Sequence, residues 1–426
     1  MKVFIESYGC TFNKADGQII AGNLIENEID IVDSIEEADV VIVNTCYVKL
    51  PTENKVVYKI QKLQNEFPDK KIIIGGCMVE IDPEKLDKIG PDCSWIGPHQ
   101  LNKSAEVVKG AYCGDVIRHS GFSKDSKVGV SKLMDDSLIH IIQICEGCLG
   151  ACTFCCTRFA RGPLNSYPIE DIKAEAQKAI ENGACEIQLT AQDTAAFGRD
   201  SGEKLSDLIK EVANLDGDFR IRVGMMHPKN ILDDVDEIID AMKHPKVYDF
   251  IHLPIQSGSD KVLSDMRRGH TISQYLDIVS KFKKEIPDIT LAVDIIVGYP
   301  TESDEDFDLT VELLENIKPS LIHLSKYQHR KGAISSSLPE IPHDVMKKRS
   351  KFLSEIKTKI TEEENKYLID SVQKVLVVEV GSKGGFIAKT NSYIPVIIQN
   401  AELGKFVDVK ITHATATYLK GVLFEE

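Results

Sequence analysis

The period of the apolar positions changes several times along the chain, and those changes divide it. Over the first hundred residues, short apolar runs at Lys2–Ser7, Asp39–Asn44 and Lys71–Ile74 alternate with stretches of helical period such as Ala15–Glu28 and Asn54–Asn65. Strand-then-helix alternation predicts a parallel sheet of Rossmann or flavodoxin type. Residues Gly114 to Asp136 are polar, rich in Ser, Lys, Asp and Gly, and read as a linker. The alternation then resumes with candidate strands at Leu138–Ile144, Cys185–Thr190, Phe219–Gly224, Phe250–Ile255, Thr290–Val297 and Leu321–Ser325. Helical patterns such as Ile169–Glu181, Leu205–Leu215 and Asp304–Ile317 separate them. Successive βα units predict a partial or complete βα barrel, whose chemistry sits at the C-terminal ends of its strands. Pro339 and Pro342 precede a long basic helix from about Asp344 to Asn365. Beyond it, short runs at Lys374–Val380, Tyr393–Ile398 and Phe406–Ile411, separated by Gly and Asn, predict a small all-β barrel.

With 426 residues the chain is too long for one core, and the pattern divides it into 1–112, a linker at 113–136, 137–364 and 365–426. No apolar run reaches the roughly 18–20 residues of a membrane span. The N-terminus reads as a strand without the apolar core of a signal peptide, so a cytoplasmic, non-membrane protein is expected. The net charge of −15 weighs against nucleic acid as a partner, although a whole-chain sum can hide a basic face. Eleven cysteines in such a chain point to metal or redox chemistry, because disulfides are rare in reducing compartments.

Cys148, Cys152 and Cys155 lie in Glu146-Gly-Cys-Leu-Gly-Ala-Cys-Thr-Phe-Cys-Cys-Thr-Arg158, with the spacing Cys-x3-Cys-x2-Cys. They follow directly on the first barrel strand, where active-site loops belong. Three thiolates hold three irons of a [4Fe–4S] cubane and leave the fourth open to a ligand. S-adenosylmethionine (SAM) can occupy it through its amino and carboxylate groups, and one electron then cleaves its S–C5′ bond to a 5′-deoxyadenosyl radical. The competing reading is a structural zinc site from the pairs Cys145/Cys148 and Cys152/Cys155. Their three-residue gap leaves no room for the fold that normally separates zinc knuckles. Cys145 and Cys156 break the x3/x2 spacing and read as bystanders.

Three more cysteines follow three successive strands. Cys10 comes after Tyr8-Gly9, Cys46 after Asn44-Thr45, and Cys77 after Gly75-Gly76. Parallel strands end on one edge, so the three thiols converge, and a second [4Fe–4S] cluster fits them best. A lone cysteine at a strand end is ordinarily a small core residue. Cys93, Cys113 and Cys185 stand at the wrong edge, at the linker and at a strand start, and read as structural.

The two triplets, in this order, resemble the methylthiotransferase family of radical SAM enzymes. Gly9-Cys10 with Asn13, Asn44-Thr45-Cys46 with Thr52-Glu53, and Gly75-Gly76-Cys77 resemble its N-terminal domain. Leu189-Thr-Ala-Gln-Asp193, Leu253-Pro-Ile-Gln-Ser-Gly-Ser259 and Ile296-Val-Gly-Tyr-Pro300 resemble its barrel, and the last sixty residues its RNA-binding TRAM barrel. The segment Glu146–Gly162 is most similar to the archaeal and eukaryotic branch, which modifies N6-threonylcarbamoyladenosine 3′ of the tRNA anticodon. The resemblance implies two [4Fe–4S] clusters, SAM, tRNA, an electron donor such as a ferredoxin or flavodoxin, and a sulfur source. It implies that the N-terminal cluster carries or supplies sulfur, methylated by one SAM, while a radical from a second SAM activates adenine C2. Phe154 would then pack near the SAM adenine, and Gln192 and Gln256 would line the SAM site.

The family's usual Arg-Pro-Gly-Thr run after the last barrel strand reads Arg330-Lys-Gly-Ala333 here. Arg158, Arg161, Arg267, Arg268, Lys326, Arg330 and Lys331 all follow candidate strands. A threonylcarbamoyl group ends in a carboxylate, whose burial calls for a cation, and arginine binds it through two N–H groups. Arg158, Arg161 and Arg330 are therefore the candidate substrate contacts, of which at least one is expected to pair with that carboxylate. The alternatives are methylthiolation of isopentenyladenosine tRNA or of a ribosomal protein side chain, and a non-catalytic iron–sulfur or zinc protein that binds RNA.

Overall fold

The computed structural model describes residues 1–134 and 138–424. Asp135 and Asp136 of the expected linker, Ser137 of the expected barrel domain, and Glu425 and Glu426 lie outside the described residues. The chain forms two compact units. One comprises Met1–Met134, Gln143–Tyr167 and His329–Ser336; the other comprises the described residues of Asp135–Ile142, Pro168–Gln328 and Ser337–Glu426.

The first unit is built on six parallel strands, β1 (Lys2–Ser7), β2 (Asp30–Ile31), β3 (Val40–Thr45), β4 (Lys71–Gly76), β5 (Ser94–Ile96) and β6 (Arg118–His119). Their order across the sheet is β2-β1-β3-β4-β5-β6. All six residues of β3 are buried, because helices cover both faces of the sheet. Val41 and Val43 pack with Val56, Ile60 and Leu63 of helix Leu50–Glu66. Val40 and Ile42 point the other way, onto Ile20 and Leu24 of helix Thr11–Glu26 and Val107 and Val108 of helix Ser104–Cys113. Each such side chain contributes about 1.5–3 kcal/mol by leaving water.

The expected linker proves to be part of this unit. β6 lies within it and pairs with β5, Lys127 is buried, and the Leu133 amide donates to the Gln18 carbonyl. A two-residue strand is too short to leave a period in the sequence. The segment Gln143–Tyr167, expected with the barrel, also packs here, and a short antiparallel pair, β8 (Cys145–Glu146) with β9 (Asn165–Ser166), closes it.

The second unit carries the expected partial βα barrel. β7 (Ile139–Gln143), β10 (Glu186–Thr190) and β11 (Arg220–Val223) form one sheet. β12 (Phe250–His252), β13 (Thr290–Val297) and β14 (Leu321–Lys326) form another, parallel throughout. The C-terminal strands β15 (Val372–Val380), β16 (Phe386–Thr390), β17 (Pro395–Ile398), β18 (Phe406–Ala414) and β19 (Leu419–Leu423) close into a barrel. Its core includes Val375, Val377, Val396, Val409 and Ile411. The alternate residues of β15, Leu376 and Val378, face outward onto Cys185 and Leu138, which explains why that run is apolar on both faces.

The small barrel docks on the first residues of the βα strands. The Leu138 amide donates to the Val378 carbonyl (3.2 Å), and the Tyr393 hydroxyl donates to Glu186 Oε1 (3.2 Å). The Tyr393 ring packs on Tyr248 and Phe250 at 4.8 and 5.0 Å. The docked edge is therefore the N-terminal one, opposite the strand ends where barrel chemistry sits. Among the described residues no helix is long and apolar enough to cross a membrane.

Candidate metal centres

β1, β3 and β4 are neighbours, and their register aligns Ser7 with Asn44 and Thr45 with Gly76. Cys46 and Cys77 are thus each one residue past a paired position. Cys10 caps helix Thr11–Glu26, and Cys77 opens helix Cys77–Ile81. Side chains tie the three turns together. Asn13 Nδ2 donates to the Tyr8 and Thr45 carbonyls (2.7 and 3.2 Å). Asn44 Nδ2 donates to the Asn13 carbonyl (2.7 Å), and Thr45 Oγ1 to the Gly75 carbonyl (2.6 Å). Gly9, at φ +107°, is irreplaceable on two counts: its backbone is left-handed, and a Cβ there would lie 2.7 Å from Cys46 Sγ. Burial, with charge on Cys77 adding to it, pushes the Cys46 thiol up to about 12, and burial likewise raises Cys77. Such thiols stay protonated at neutral pH unless a metal takes the proton's place.

Cys148, Cys152 and Cys155 lie in the loop after β8, each partly exposed. The Gly150 amide donates to Cys148 Sγ (3.2 Å). A Cβ at Gly150 would sit 3.3 Å from Cys148 Sγ and 3.8 Å from Cys152 Sγ, so glycine keeps the space between these thiols open. The loop is held from the segment His329–Ser336, where the Ser335 amide and hydroxyl both donate to the Thr153 carbonyl (2.9 and 3.0 Å). Cys145 and Cys156, read as bystanders, are buried, the latter with its thiol 3.8 Å from the Tyr47 carbonyl. Soft thiols in threes, with glycine where a side chain would crowd them, are the donor chemistry an iron–sulfur cluster takes.

A buried ion network of residues scattered along the sequence is joined to the first triplet in space. Arg161 ends the short helix Thr157–Arg161 and is 1% exposed. Its Nη1 donates to Asp16 Oδ2 (2.6 Å) and Glu146 Oε1 (2.9 Å); its Nη2 donates to Asn13 Oδ1 (3.1 Å) and Cys77 Sγ (3.2 Å). Lys127 Nζ donates to the same two carboxylates, at 2.9 Å each. Burial alone would raise Asp16, but Arg161 and Lys127 outweigh it and hold its carboxyl below the usual range. Two cations and two carboxylates thus balance one another.

The structure places the three candidate arginines differently. Arg161 is committed to Asp16 and Glu146, and Arg330 Nη1 to Glu53 Oε2 (2.6 Å), both inside the first unit. Each of these buried guanidiniums thus already has a carboxylate partner in the folded chain. Arg158, of the expected three, is exposed. Phe154 is half-buried within the cysteine loop. In the second unit, Gln192 follows β10 and Gln256 follows β12, both at C-terminal strand ends. Gln256 has a left-handed backbone, φ +79°, fixed where its amide donates to the Asp294 carbonyl (2.8 Å) and its carbonyl accepts from the Ile296 amide (3.0 Å). Such strain in a residue with a side chain persists only where its surroundings enforce it, commonly at ligand sites.

Sequence reasoning missed Asp16, Lys127 and Glu146. The available signals were a carboxylate six residues after Cys10 and another two residues before Cys148. It also missed a polar group on three neighbouring strands of the second unit, His252, Asp294 and His323, whose ligand-type atoms lie within 4.8 Å of one another.

Residues 142–314 match the radical SAM superfamily, residues 2–97 the Uncharacterized protein family UPF0004, and residues 366–424 the TRAM domain. The chain is 56% identical over 419 residues to the "Probable threonylcarbamoyladenosine tRNA methylthiotransferase" of Methanothermobacter thermautotrophicus, covering 98% of this chain and 99% of that one. It is 35% identical over 431 residues to the "Threonylcarbamoyladenosine tRNA methylthiotransferase" of Homo sapiens, covering 99% of this chain and 73% of that one. Among solved structures, the radical S-adenosylmethionine methyltransferase TsrM from Kitasatospora setae shares the fold at a TM-score of 0.58 and 13% identity, covering 79% of this chain and 77% of that one.

Proposed function

The chain belongs to the threonylcarbamoyladenosine tRNA methylthiotransferase family of radical SAM enzymes, and on that premise we propose that it converts N6-threonylcarbamoyladenosine, 3′ of the tRNA anticodon, to its 2-methylthio derivative. The full-length match to relatives of that name carries the reading. It uses SAM and a [4Fe–4S] cluster, as radical SAM enzymes do.

Cys148, Cys152 and Cys155 are the ligands of the catalytic cluster in this reading, and Cys10, Cys46 and Cys77 those of a second [4Fe–4S] cluster. When bound, these groups with SAM supply the electron, the carbon radical and the sulfur chemistry that a C2–S bond requires. The chain's own part is positional. Asn13, Asn44 and Thr45 fix the three N-terminal cysteine turns before any metal arrives, which lowers the ordering cost of binding. Gly150 keeps the second thiol group open. Gln192 and Gln256 are assigned to SAM and Phe154 to its adenine. Arg158 takes the threonyl carboxylate, and the TRAM barrel holds the tRNA. The division at 112, 136 and 364 belongs to the same reading, with the additional packing of 114–134 described above. A cytoplasmic location, a ferredoxin or flavodoxin as electron donor, and a separate sulfur source complete it.

The test is nucleoside mass spectrometry of tRNA incubated with the reconstituted protein, SAM and a strong reductant. The 2-methylthio derivative of threonylcarbamoyladenosine is expected. Product only on isopentenyladenosine tRNA or on a ribosomal protein overturns the substrate assignment, and absence of 5′-deoxyadenosine overturns the chemistry.

A further inference from the structure

We propose that Arg161 is a positioning residue that tunes the N-terminal cluster: it holds a guanidinium N–H and its charge against the sulfur of Cys77, and so sets that cluster's reduction potential. The inference rests on the reading of Cys10, Cys46 and Cys77 as ligands of a second [4Fe–4S] cluster.

The geometry is specific. Arg161 does not belong to the N-terminal sequence; it lies six residues past Cys155, on the segment that carries the other cysteine triplet. Its guanidinium nevertheless reaches Cys77 Sγ at 3.2 Å. The same nitrogen donates to Asn13, whose own amide fixes the turns leading to Cys10 and Cys46. The other terminal nitrogen is held by Asp16 and Glu146, and the guanidinium lies over the Phe12 ring at 4.8 Å. Four of the five N–H donors of an arginine are thereby accounted for, and the planar fork has one orientation. One donor from the catalytic segment thus touches one N-terminal cysteine directly and the turns of the other two through Asn13.

Donors and positive charge at a cluster sulfur stabilise the reduced, more negative state more than the oxidised one, and raise the potential. Asp16 opposes this by offsetting the charge of Arg161. Changes at the two residues therefore shift the potential in opposite directions. Arg161→Lys keeps the charge but gives up the fork that reaches Cys77, and the midpoint falls. Asp16→Asn removes a negative charge without removing a hydrogen-bonding side chain, and the midpoint rises. A residue that merely supported the fold would give neither sign reliably.

The experiment uses the full chain carrying Cys148→Ala, Cys152→Ala and Cys155→Ala, reconstituted with iron and sulfide, so that one cluster remains. Its midpoint is read by a redox titration followed by electron paramagnetic resonance, alone and with Arg161→Lys or Asp16→Asn added. A lower midpoint with Arg161→Lys and a higher one with Asp16→Asn is the expected result. Unchanged midpoints, or shifts of the same sign, overturn the role of Arg161. Should Arg161→Lys fail to fold, Asp16→Asn alone decides: a rise supports the role and an unchanged or lower midpoint overturns it. Failure of the parent triple variant to bind any cluster overturns the underlying assignment of Cys10, Cys46 and Cys77 instead, so the two failures are distinguishable.

Discussion

Arg330 Nη1 stands 2.6 Å from Glu53 Oε2, and both side chains are buried. They stand 277 positions apart in the sequence, so this pair closes the first unit between distant segments of the chain. The guanidinium also lies over the Tyr47 ring at 5.3 Å, and Lys85 pairs with the other Glu53 oxygen. The position that the family pattern offers as a substrate loop thus serves as a clasp.

Arg330 and Arg158 accordingly part company on mutation. Arg330→Met leaves Glu53 buried with only the half-exposed Lys85 as counter-charge, and loss of one partner of a buried pair costs about 3–5 kcal/mol. A fall in melting temperature is expected. Arg158→Met leaves the melting temperature unchanged. It reduces methylthio product by about a hundredfold, since losing one partner of a desolvated charge pair costs about 2–5 kcal/mol. Parallel thermal melts and nucleoside analysis check both; equal melting losses in the two variants refute the division.

The two cysteine groups separate by product. Replacing Cys148, Cys152 or Cys155 with Ala brings 5′-deoxyadenosine to background. Replacing Cys10, Cys46 and Cys77 together removes about half the iron, leaves 5′-deoxyadenosine formation in place and abolishes the methylthio product. Iron analysis with chromatography of both products measures this. Methylthio product from the N-terminal triple variant would make those cysteines structural.

The fold was largely legible because its elements are long and periodic. β1, β3, β4 and the six barrel strands carry apolar runs, several of them ending at Gly, Asn or Pro, and those signals are local. The buried ion network was not legible, because no local pattern joins Asp16, Lys127, Glu146 and Arg161. Each reads alone as a solvated charge, and only the packing of Gln143–Tyr167 with the N-terminal strands brings them together. For the same reason Arg161 and Arg330 read as available to substrate. The family motif named residues and was silent on their partners.

Acid weakens the second unit through its buried histidines. His227 is 6% exposed; its Nδ1 accepts from the Lys229 amide, and its ring meets His270 edge-on at 5.8 Å. Burial, then the charge of Arg268, lowers His227 to about 2 and His270 to about 4. Both folded values lie below the unfolded value of about 6.5, so the unfolded chain binds more protons below that pH. Their contribution to stability is full above about 6.5 and is lost as pH falls toward the folded values, by up to about 1.4 kcal/mol per pH unit for each group. Denaturant melts between pH 7 and 4.5 are expected to show a shallower pH slope in His227→Gln than in the parent. An unchanged slope would remove His227 from the acid response.

The TRAM barrel sits on the N-terminal edge of the barrel strands, held by Tyr393 on Glu186, Tyr248 and Phe250, while Gln192 and Gln256 occupy the opposite edge. Deleting residues 365–426 would uncover those docking residues and confound binding with unfolding. Surface substitutions avoid this. Lys383, in the turn between β15 and β16, and Lys420, on β19, are both exposed. If they meet the tRNA backbone, each contributes one released counterion. Log affinity then falls with log salt by a slope near −0.7 to −0.9 per phosphate contact. Lys383→Ala and Lys420→Ala each weaken tRNA binding several-fold at low salt and reduce that slope by about one. The SAM cleavage rate without tRNA stays at the parent value, because neither residue lies on the strand ends where the chemistry is assigned. Filter binding over a series of salt concentrations measures the slope. A loss of affinity with no change in slope would mean that these lysines stabilise the barrel and do not touch phosphate, and unchanged affinity would place the RNA on another face.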